Sequence, residues 1–485
     1  MNFISVEFLG FFTTVFLLHF AIPARFRWIL LLTASFLFYA SLNIIFIPIL
    51  FIPPIIIFFL TYNFDHTETK GKKRTIFFSG LAISTGLLLI FKYFNFFGNS
   101  IHSIFHLFGH KGSYTPVNII FPIGISFYTF KTISYLADLY HGRIKAERNL
   151  GYLLLYISFF PQILAGPIDR AITFIPELKK RTHLDANRIL SGFKQVVWGI
   201  FKKAVIADRL AVFVNNVFQN PEGQGINLIF GAYFFAFQIY CDFSGYSDIA
   251  IGISRILGYK SMENFNFPYF SKTISEFWTR WHISLSTWLR DYLFLPIAYF
   301  ILGKYRKEKT LGMKTESLAY VGGMFITMFL GGLWHGAGWT FVVWGVLHGV
   351  YLSFSHLSKR LRKRLIKRVK LNKAPRLHKF IKIFITFNLV TFAWIFFRAS
   401  GIGEAWIYIK NINFRINGTG AGYISINLIL ILFLIVAEFV LKNRQSIIKR
   451  IKIPSSLKVI SYAIFICLII ILFMDQSQEF IYFGF

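Results

Sequence analysis

What most constrains this chain is the recurrence of apolar runs close to the roughly 20 residues an α-helix needs to cross a bilayer. They fall at 5–22, 28–43, 44–62, 76–97, 117–138, 191–213, 226–254, 319–333, 339–357, 380–397, 424–441 and 458–474. Inside hydrocarbon a backbone has no water to bond, so a spanning segment must satisfy its own N–H and C=O groups, as a helix or a closed barrel. Runs of this length predict helices, and the expected fold is all-α, a polytopic transmembrane helical bundle. Composition agrees: of 485 residues 55% are hydrophobic and only 15% are charged, where a soluble domain carries charge on about a quarter. Met1–Ala24 lacks a basic leading region and runs straight into further apolar segments, so no cleavable signal peptide is expected.

The formal charge of +31 invites a nucleic-acid reading, but its placement argues against one. Basic residues punctuate the spans: Arg25 and Arg27 after the first run, Lys70, Lys72, Lys73 and Arg74 after the third, and KRLRKRLIKRVK at 359–370. Loops 98–116, 214–225 and 399–423 are nearly free of Lys and Arg. That is a positive-inside pattern, with the N-terminus expected outside. Nucleic-acid binding wants the charge on one folded face beside base-stacking aromatics; here the basic loops are expected against anionic lipid head groups instead.

Two segments break the up-and-down count. Residues 150–168 are apolar yet flanked on both sides by basic loops, Arg143, Lys145 and Arg148 before and Lys179, Lys180 and Arg181 after. Pro161 and Gly166-Pro167 supply the breaks of a re-entrant path, which is tolerated only where protein or a water-filled cavity surrounds it. Residues 262–301 are likewise basic at both ends, and SEFWTRWHISLSTWLRDYLFLPI in their middle is too polar to face lipid. Both are expected to wall an internal cavity opening to the cytoplasm.

Ionisable groups inside apolar runs are costly and by default functional. CDFSGYSD at 241–248 carries Asp242 and Asp248; TRWHISLSTWLRDY at 279–292 carries Arg280, His282, Arg290 and Asp291; LWHGAGW at 333–339 carries His335, with His348 beyond it. His348 reads as a plain helix-terminal or interfacial histidine. Asp242 and Asp248 read first as structural carboxylates, pairing with Arg or capping backbone, and Arg290 and Asp291 as ion-pairing groups that hold a buried helix. His335 differs. It sits between a Trp and a Gly-Ala-Gly turn, at the hinge of a hairpin whose ends are both expected to be cytoplasmic, and a buried neutral imidazole there is a good general base. His282 is the second candidate catalytic residue. Trp281, Arg290, Asp291, Asp242, Trp334 and Gly336 form the set expected to contact substrate.

The chain has no GxSxG elbow, no GxxxxGK[ST] loop and no HExxH helix. The two histidines and Asp242 match no compact ligand spacing, and no metal is expected. Cys241 and Cys467 lie in apolar runs and imply no disulfide framework. Asn417-Gly418-Thr419 is a glycosylation sequon without meaning in a bacterium.

PIGISFYTFKTISYLADLYHG (122–142), FFPQILAGPIDR (159–170), FQIYCDFSGYSDIAIGISRILGY (237–259), NFNFPYFSKTISEFWTRWHISLSTWLRDYLFLPI (264–297) and GGLWHGAGWTFVVWGVLHG (331–349) resemble the membrane-bound O-acyltransferase family, in particular its bacterial alginate O-acetylation type. The closing FIYFGF (480–485) is similar to that branch as well. The resemblance implies one integral-membrane domain over 1–485, with N-terminal spans to 115, a catalytic core at 116–357, a basic cytoplasmic loop at 358–380 and C-terminal spans from 381. It implies a bundle around a central cavity or tunnel in a bacterial inner membrane, with no bound cofactor. The implied reaction moves an acetyl group from cytoplasmic acetyl-CoA toward hydroxyls of an extracytoplasmic polysaccharide, usually through an exported acetyltransferase partner. The family's essential histidine falls on His335 and its second polar position on His282. One departure is Gly338, where relatives commonly carry Ser or Asn, a change expected to loosen the turn. D-alanyl transfer to teichoic acid and peptidoglycan O-acetylation stay open within the family; a polysaccharide or lipid exporter is the alternative of another class.

Overall fold

Helices dominate the computed structural model, which describes residues 1–485 except 110–111, 311, 416–420, 443–453, 474–478 and 482–485. The sequon at 417–419 and the last four residues of FIYFGF lie outside the described residues. The chain divides into two compact units, Met1–Val196 with Ser247–Glu263, and Val197–Tyr246 with Asn264–Phe485. In chain order the helices begin with α1 (Val6–Ala21), α2 (Arg27–Ala40), α3 (Phe46–Thr61), α4 (Lys70–Leu88), α5 (Phe94–Leu107), α6 (Ile125–Tyr140), α7 (Leu150–Ser158), α8 (Ala171–Lys179) and α9 (Ala186–Ile200). They continue with α10 (Asp208–Gln219), α11 (Ile226–Leu257), α12 (Ile274–Trp278), α13 (Ile283–Leu289), α14 (Leu295–Lys304), α15 (Thr315–His335) and α16 (Trp339–Leu357). The last are α17 (Lys359–Arg368), α18 (Pro375–Arg398), α19 (Ile402–Asn411), α20 (Ala421–Lys442) and α21 (Ser455–Leu472). One small antiparallel pair, Lys309–Thr310 with Met313–Lys314, joins α14 to α15.

Among the described residues seven helices are long and apolar enough to cross a membrane. Their burial sorts them. In α11, 78% of the apolar stretch is buried, against 17% for the stretch that runs through α4 and α5 and 22% for α20. An apolar surface left uncovered by protein is what a lipid-facing helix presents, so α11 is an interior helix and the others are peripheral.

Two expected spans come out shorter, and a third stays helical throughout but changes helix type. The run at 117–138 turns helical only at Ile125, because Gly124 adopts φ +79. A side chain there would be strained and would strike the Ile163 carbonyl. The run at 191–213 passes from α9 into a π-helical stretch, Phe201–Ala207, which buries Lys202 and Lys203. The run at 28–43 yields the 14 residues of α2.

The segment expected to be re-entrant is broken. The nine residues of α7 rise only about 14 Å, far short of a bilayer core, and 159–170 continue as turns and extended chain. What fastens this irregular stretch is a buried polar network in the first unit. Lys131 Nζ donates to the Tyr156 carbonyl (3.1 Å) and to Gln162 Oε1 (2.8 Å). Gln162 Nε2 donates to Asp169 Oδ2 (2.7 Å) and Ser261 Oγ (3.0 Å). Ser261 Oγ–H and the Met262 N–H both donate to the Asp169 carboxylate, at 2.7 and 3.0 Å. Loops without regular structure must still pair their buried backbone and side-chain polar groups, and this network does so. The segment 262–301 carries the short α12 and then, from Ile283, an unbroken helical stretch made of α13, a π-helical turn at Arg290–Phe294 and α14.

Candidate active site

The sequence GGLWHGAGW makes a tight helical hairpin in the second unit. Helix α15 ends on His335, Gly336 and Gly338 run extended, and α16 starts at Trp339. The two helices meet backbone to backbone: a Cβ added to Gly332 would lie 3.0 Å from Gly345 Cα and would strike the Phe341 carbonyl. A Cβ on Gly336 would strike the Phe341 ring. Both small residues are therefore required by close packing. Gly338 is not: its φ of −159° suits any residue. It is the N-cap of α16 and makes no side-chain cap, so Ser or Asn there would supply one. The expectation that Gly338 loosens the turn is replaced by the loss of a cap.

His335 is buried, with 3% of its surface exposed. Aromatic rings wall it, Trp344 at 4.8 Å, Trp334 at 4.9 Å and Phe397 at 5.2 Å between centroids. His282 is fully buried and stands just before α13 with φ +41 and ψ 57. A left-handed backbone at a residue other than glycine costs about 1–3 kcal/mol and persists only where its surroundings enforce it. Here Asn264 does the enforcing. Its Oδ1 accepts from the Ser284 N–H (3.3 Å) and Ser284 Oγ–H (2.9 Å) and lies 3.0 Å from His282 Nδ1. An oxygen that already receives an N–H can meet Nδ1 only if Nδ1 carries the proton. In the neutral ring Nε2 is then the nitrogen with the lone pair. Trp334 joins the two histidines: its ring lies 6.2 Å from His282 and 4.9 Å from His335.

Trp281 is buried beside Trp394 (5.1 Å), which in turn stacks on Trp344 at 5.6 Å. The structure therefore gathers His282, His335, Trp281, Trp334 and Gly336 into one aromatic-lined region. His348 belongs to it too, contrary to the helix-end reading. It lies mid-way along α16, wholly buried, with Trp344 at 4.8 Å. Trp278 Nε1–H donates to its Nδ1 at 3.3 Å, so Nε2 carries the proton, and among the described residues that N–H has no acceptor. Proximity to a basic loop in sequence does not expose the ring, because Trp278 and Trp344 close over it.

Other expected site residues have different settings. Asp242 is paired, but with a lysine in place of the expected arginine: Lys203 Nζ bridges Asp242 (2.7 Å) and Asp208 (2.8 Å). Asp242 Oδ2 also accepts from the Ile481 N–H at 2.9 Å. Asp248 accepts from Gln195 Nε2 at 2.9 Å in the first unit. Arg290 and Asp291 do not hold a buried helix. They pair with each other at 2.8 Å on a π-helical turn, with 60% of the Arg290 side chain exposed. Among the described residues no three His, Cys, Asp or Glu side chains gather as metal ligands.

Sequence reasoning passed over Asn264, Lys131, Lys202, Lys203 and Glu438. Four of these are ionisable groups inside apolar runs, the same signal that singled out the histidines. Lys202 Nζ donates to Ser244 Oγ (2.8 Å), and the Tyr240 hydroxyl bonds Glu438. Asn264 carried no such signal, since a polar loop residue acquires meaning only from its partner.

Fold and composition thus define a multi-pass helical membrane protein with imidazoles buried among aromatic rings. A family model described as MBOAT, membrane-bound O-acyltransferase family, matches residues 143–402. The chain is 36% identical to the probable alginate O-acetylase AlgI of Azotobacter vinelandii, covering 84% of this chain and 77% of that protein. It is 37% identical to the protein of that name from Pseudomonas aeruginosa, covering 84% and 74%. It is 32% identical to the peptidoglycan O-acetyltransferase of Helicobacter pylori, covering 87% and 80%. The chain belongs to the membrane-bound O-acyltransferase family and is an O-acyltransferase enzyme.

Proposed function

We propose that this enzyme moves acetyl groups from cytoplasmic acetyl-CoA to hydroxyls of an extracytoplasmic polysaccharide of the alginate kind, directly or through an exported acetyltransferase partner. The observation that carries the reading is the burial of His335 at the α15–α16 turn, one tryptophan away from His282. The similarity to alginate O-acetylases supports the acceptor class. The protein lies in a bacterial inner membrane with its N-terminus outside, and 116–357 is its catalytic part. Donor and acceptor enter from opposite sides and meet at His335.

In the reaction the acceptor oxygen attacks the thioester carbonyl carbon while His335 takes the hydroxyl proton. The carbon–sulfur bond then breaks, the ester forms, and the imidazolium returns its proton to the departing thiolate. General-base help of this kind is worth about 10²- to 10⁴-fold in rate. The hairpin suits both charges that develop. His335 ends α15, where the negative pole of the helix favours a cation. The N-terminus of α16 offers N–H groups and a positive pole to the oxyanion. With Nδ1–H held by Asn264, His282 is fitted to accept a hydrogen bond from the incoming hydroxyl and orient it. Donation to the oxyanion then falls to backbone N–H groups next to Gly336. Trp281 and Trp334 shape the path of the substrate.

The test uses purified protein in liposomes with radiolabelled acetyl-CoA and soluble polysaccharide acceptors, comparing wild type with His335→Ala. Transfer by wild type and its loss in a folded His335→Ala variant is the expected result. Undiminished transfer in the variant refutes the mechanism, and turnover only with an aminoacyl carrier protein makes the enzyme a D-alanyl transferase. A second reading, acetylation of peptidoglycan, is favoured by the Helicobacter relative, which aligns with 87% of this chain. Label appearing in muramic acid residues identifies it.

A further inference from the structure

Away from the histidines, the first unit contains two cavities that adjoin along the chain. The first holds about 420 Å³ and is lined by Arg25, Arg27, Lys179, Lys180, Arg181 and His183, with no carboxylate among its lining residues. Lys179 and Lys180 are paired outside it, with Glu147 and Glu177. Among the described residues neither Arg25 nor Arg181 makes an ion pair, so the cavity keeps an uncompensated positive charge. Trp28 and Tyr152, 5.7 Å apart, give it an aromatic wall, the amphipathic ring type enriched at membrane interfaces.

The second cavity holds about 450 Å³ and is apolar, lined by Phe12, Phe16, Leu184, Leu190, Phe193 and Ile256. Leu184 follows His183 directly, and Ile256 is three residues before Tyr259 of the basic cavity. On α1 a ladder of rings links the two: Phe12 to Phe16 at 6.4 Å, Phe16 to Phe20 at 5.3 Å, and the Arg27 guanidinium over Phe20 at 5.5 Å. Leu184, Leu190 and Phe193 are also exposed, as a groove open to lipid requires. A cationic cup beside an apolar groove matches one kind of molecule. A soluble phosphate has no use for the groove, and a neutral lipid has no use for the cations.

We propose that the cup and groove together bind an anionic phospholipid, its phosphate against Arg25, Arg27 and Arg181 and an acyl chain along Phe12 and Phe16. Basic pockets between membrane helices are suited to such head groups. The site is independent of the acyl-transfer reading, because none of these residues belongs to the histidine region.

The experiment is native mass spectrometry of the full-length, delipidated protein, titrated with phosphatidylglycerol and phosphatidylcholine of matched chains. Phosphatidylglycerol should bind preferentially. Arg25→Gln and Arg181→Gln should each weaken it about fivefold, at about one cation's contribution apiece. Thr13→Trp, which fills the groove without touching a cation, should weaken long-chain but not dihexanoyl phosphatidylglycerol. Equal binding of the two lipids overturns the proposal. So does displacement of phosphatidylglycerol by equimolar coenzyme A or inorganic phosphate, which would make the cup a site for soluble phosphates; both measurements are made on wild type and do not depend on the variants folding.

Discussion

Beneath residues 159–170, Lys131, Gln162, Asp169 and Ser261 satisfy one another with hydrogen bonds of 2.7 to 3.0 Å. Around the α15–α16 turn, His282, His335 and His348 are equally buried but walled by tryptophan and phenylalanine rings. Both regions put costly polar groups in a low-dielectric interior. In the first, each donor meets an acceptor, which rigidifies a stretch of chain with no regular structure. In the second, rings pack against each imidazole, and hydrogen bonds with Asn264 and Trp278 set the tautomers of His282 and His348. Burial of a polar group therefore does not by itself mark chemistry. The neighbours differ: a chain of hydrogen bonds holds the first region, whereas aromatic rings pack around the imidazoles of the second.

One substitution in each region separates the two roles. Asp169→Ala leaves the Lys131 ammonium without its network's only acidic group, and should destabilise the solubilised protein by about 3–5 kcal/mol, read as a large fall in its unfolding midpoint. His335→Ala, which empties a ring-sized space, should lower that midpoint by less, while acyl transfer drops about 10²- to 10⁴-fold. If the two variants exchange these phenotypes, the roles assigned to the regions are reversed. Gly332→Ala tests the frame of the second region: its methyl group meets Gly345 Cα at 3.0 Å. Overpacking of this kind costs about 1–3 kcal/mol, and activity should fall with the displacement of His335.

Finer changes sharpen the contrast. Trp278→Phe keeps an aromatic side chain, though a smaller one, and removes the N–H given to His348. A loss of about 1 kcal/mol is expected, measurable as a modest shift of the denaturation midpoint; an unchanged midpoint would mean that the ring alone positions His348. The smallest effect is expected from Gly338→Asn, which supplies the cap α16 lacks. It should stabilise by a few tenths of a kcal/mol, within reach of repeated thermal melts. Destabilisation instead would mean that the turn needs glycine.

Part of each region was legible in advance. Pro161 and Gly166 marked the broken stretch, and ionisable groups inside apolar runs marked the histidines. Applied evenly, the same criterion reaches Lys131, Lys202, Lys203 and Glu438. Partners were harder to read. Asp242 finds Lys203 because a π-helical stretch turns that lysine inward. Arg290 and Asp291, promising in sequence, pair with each other on a partly exposed turn.

The sequence by itself determined the class: helices, in number, crossing a membrane, because water-free surroundings force the backbone to bond within each segment and so write a run of about 20 apolar residues for every crossing. It also determined the Gly-rich hairpin, since close packing demands small residues at fixed spacing. Only the tertiary structure decided which nitrogen of His282 holds a proton, what encloses His348 and which cation faces Asp242. Those depend on side chains brought together from 18, 70 and 39 residues away, and no local periodicity records a contact made at that distance.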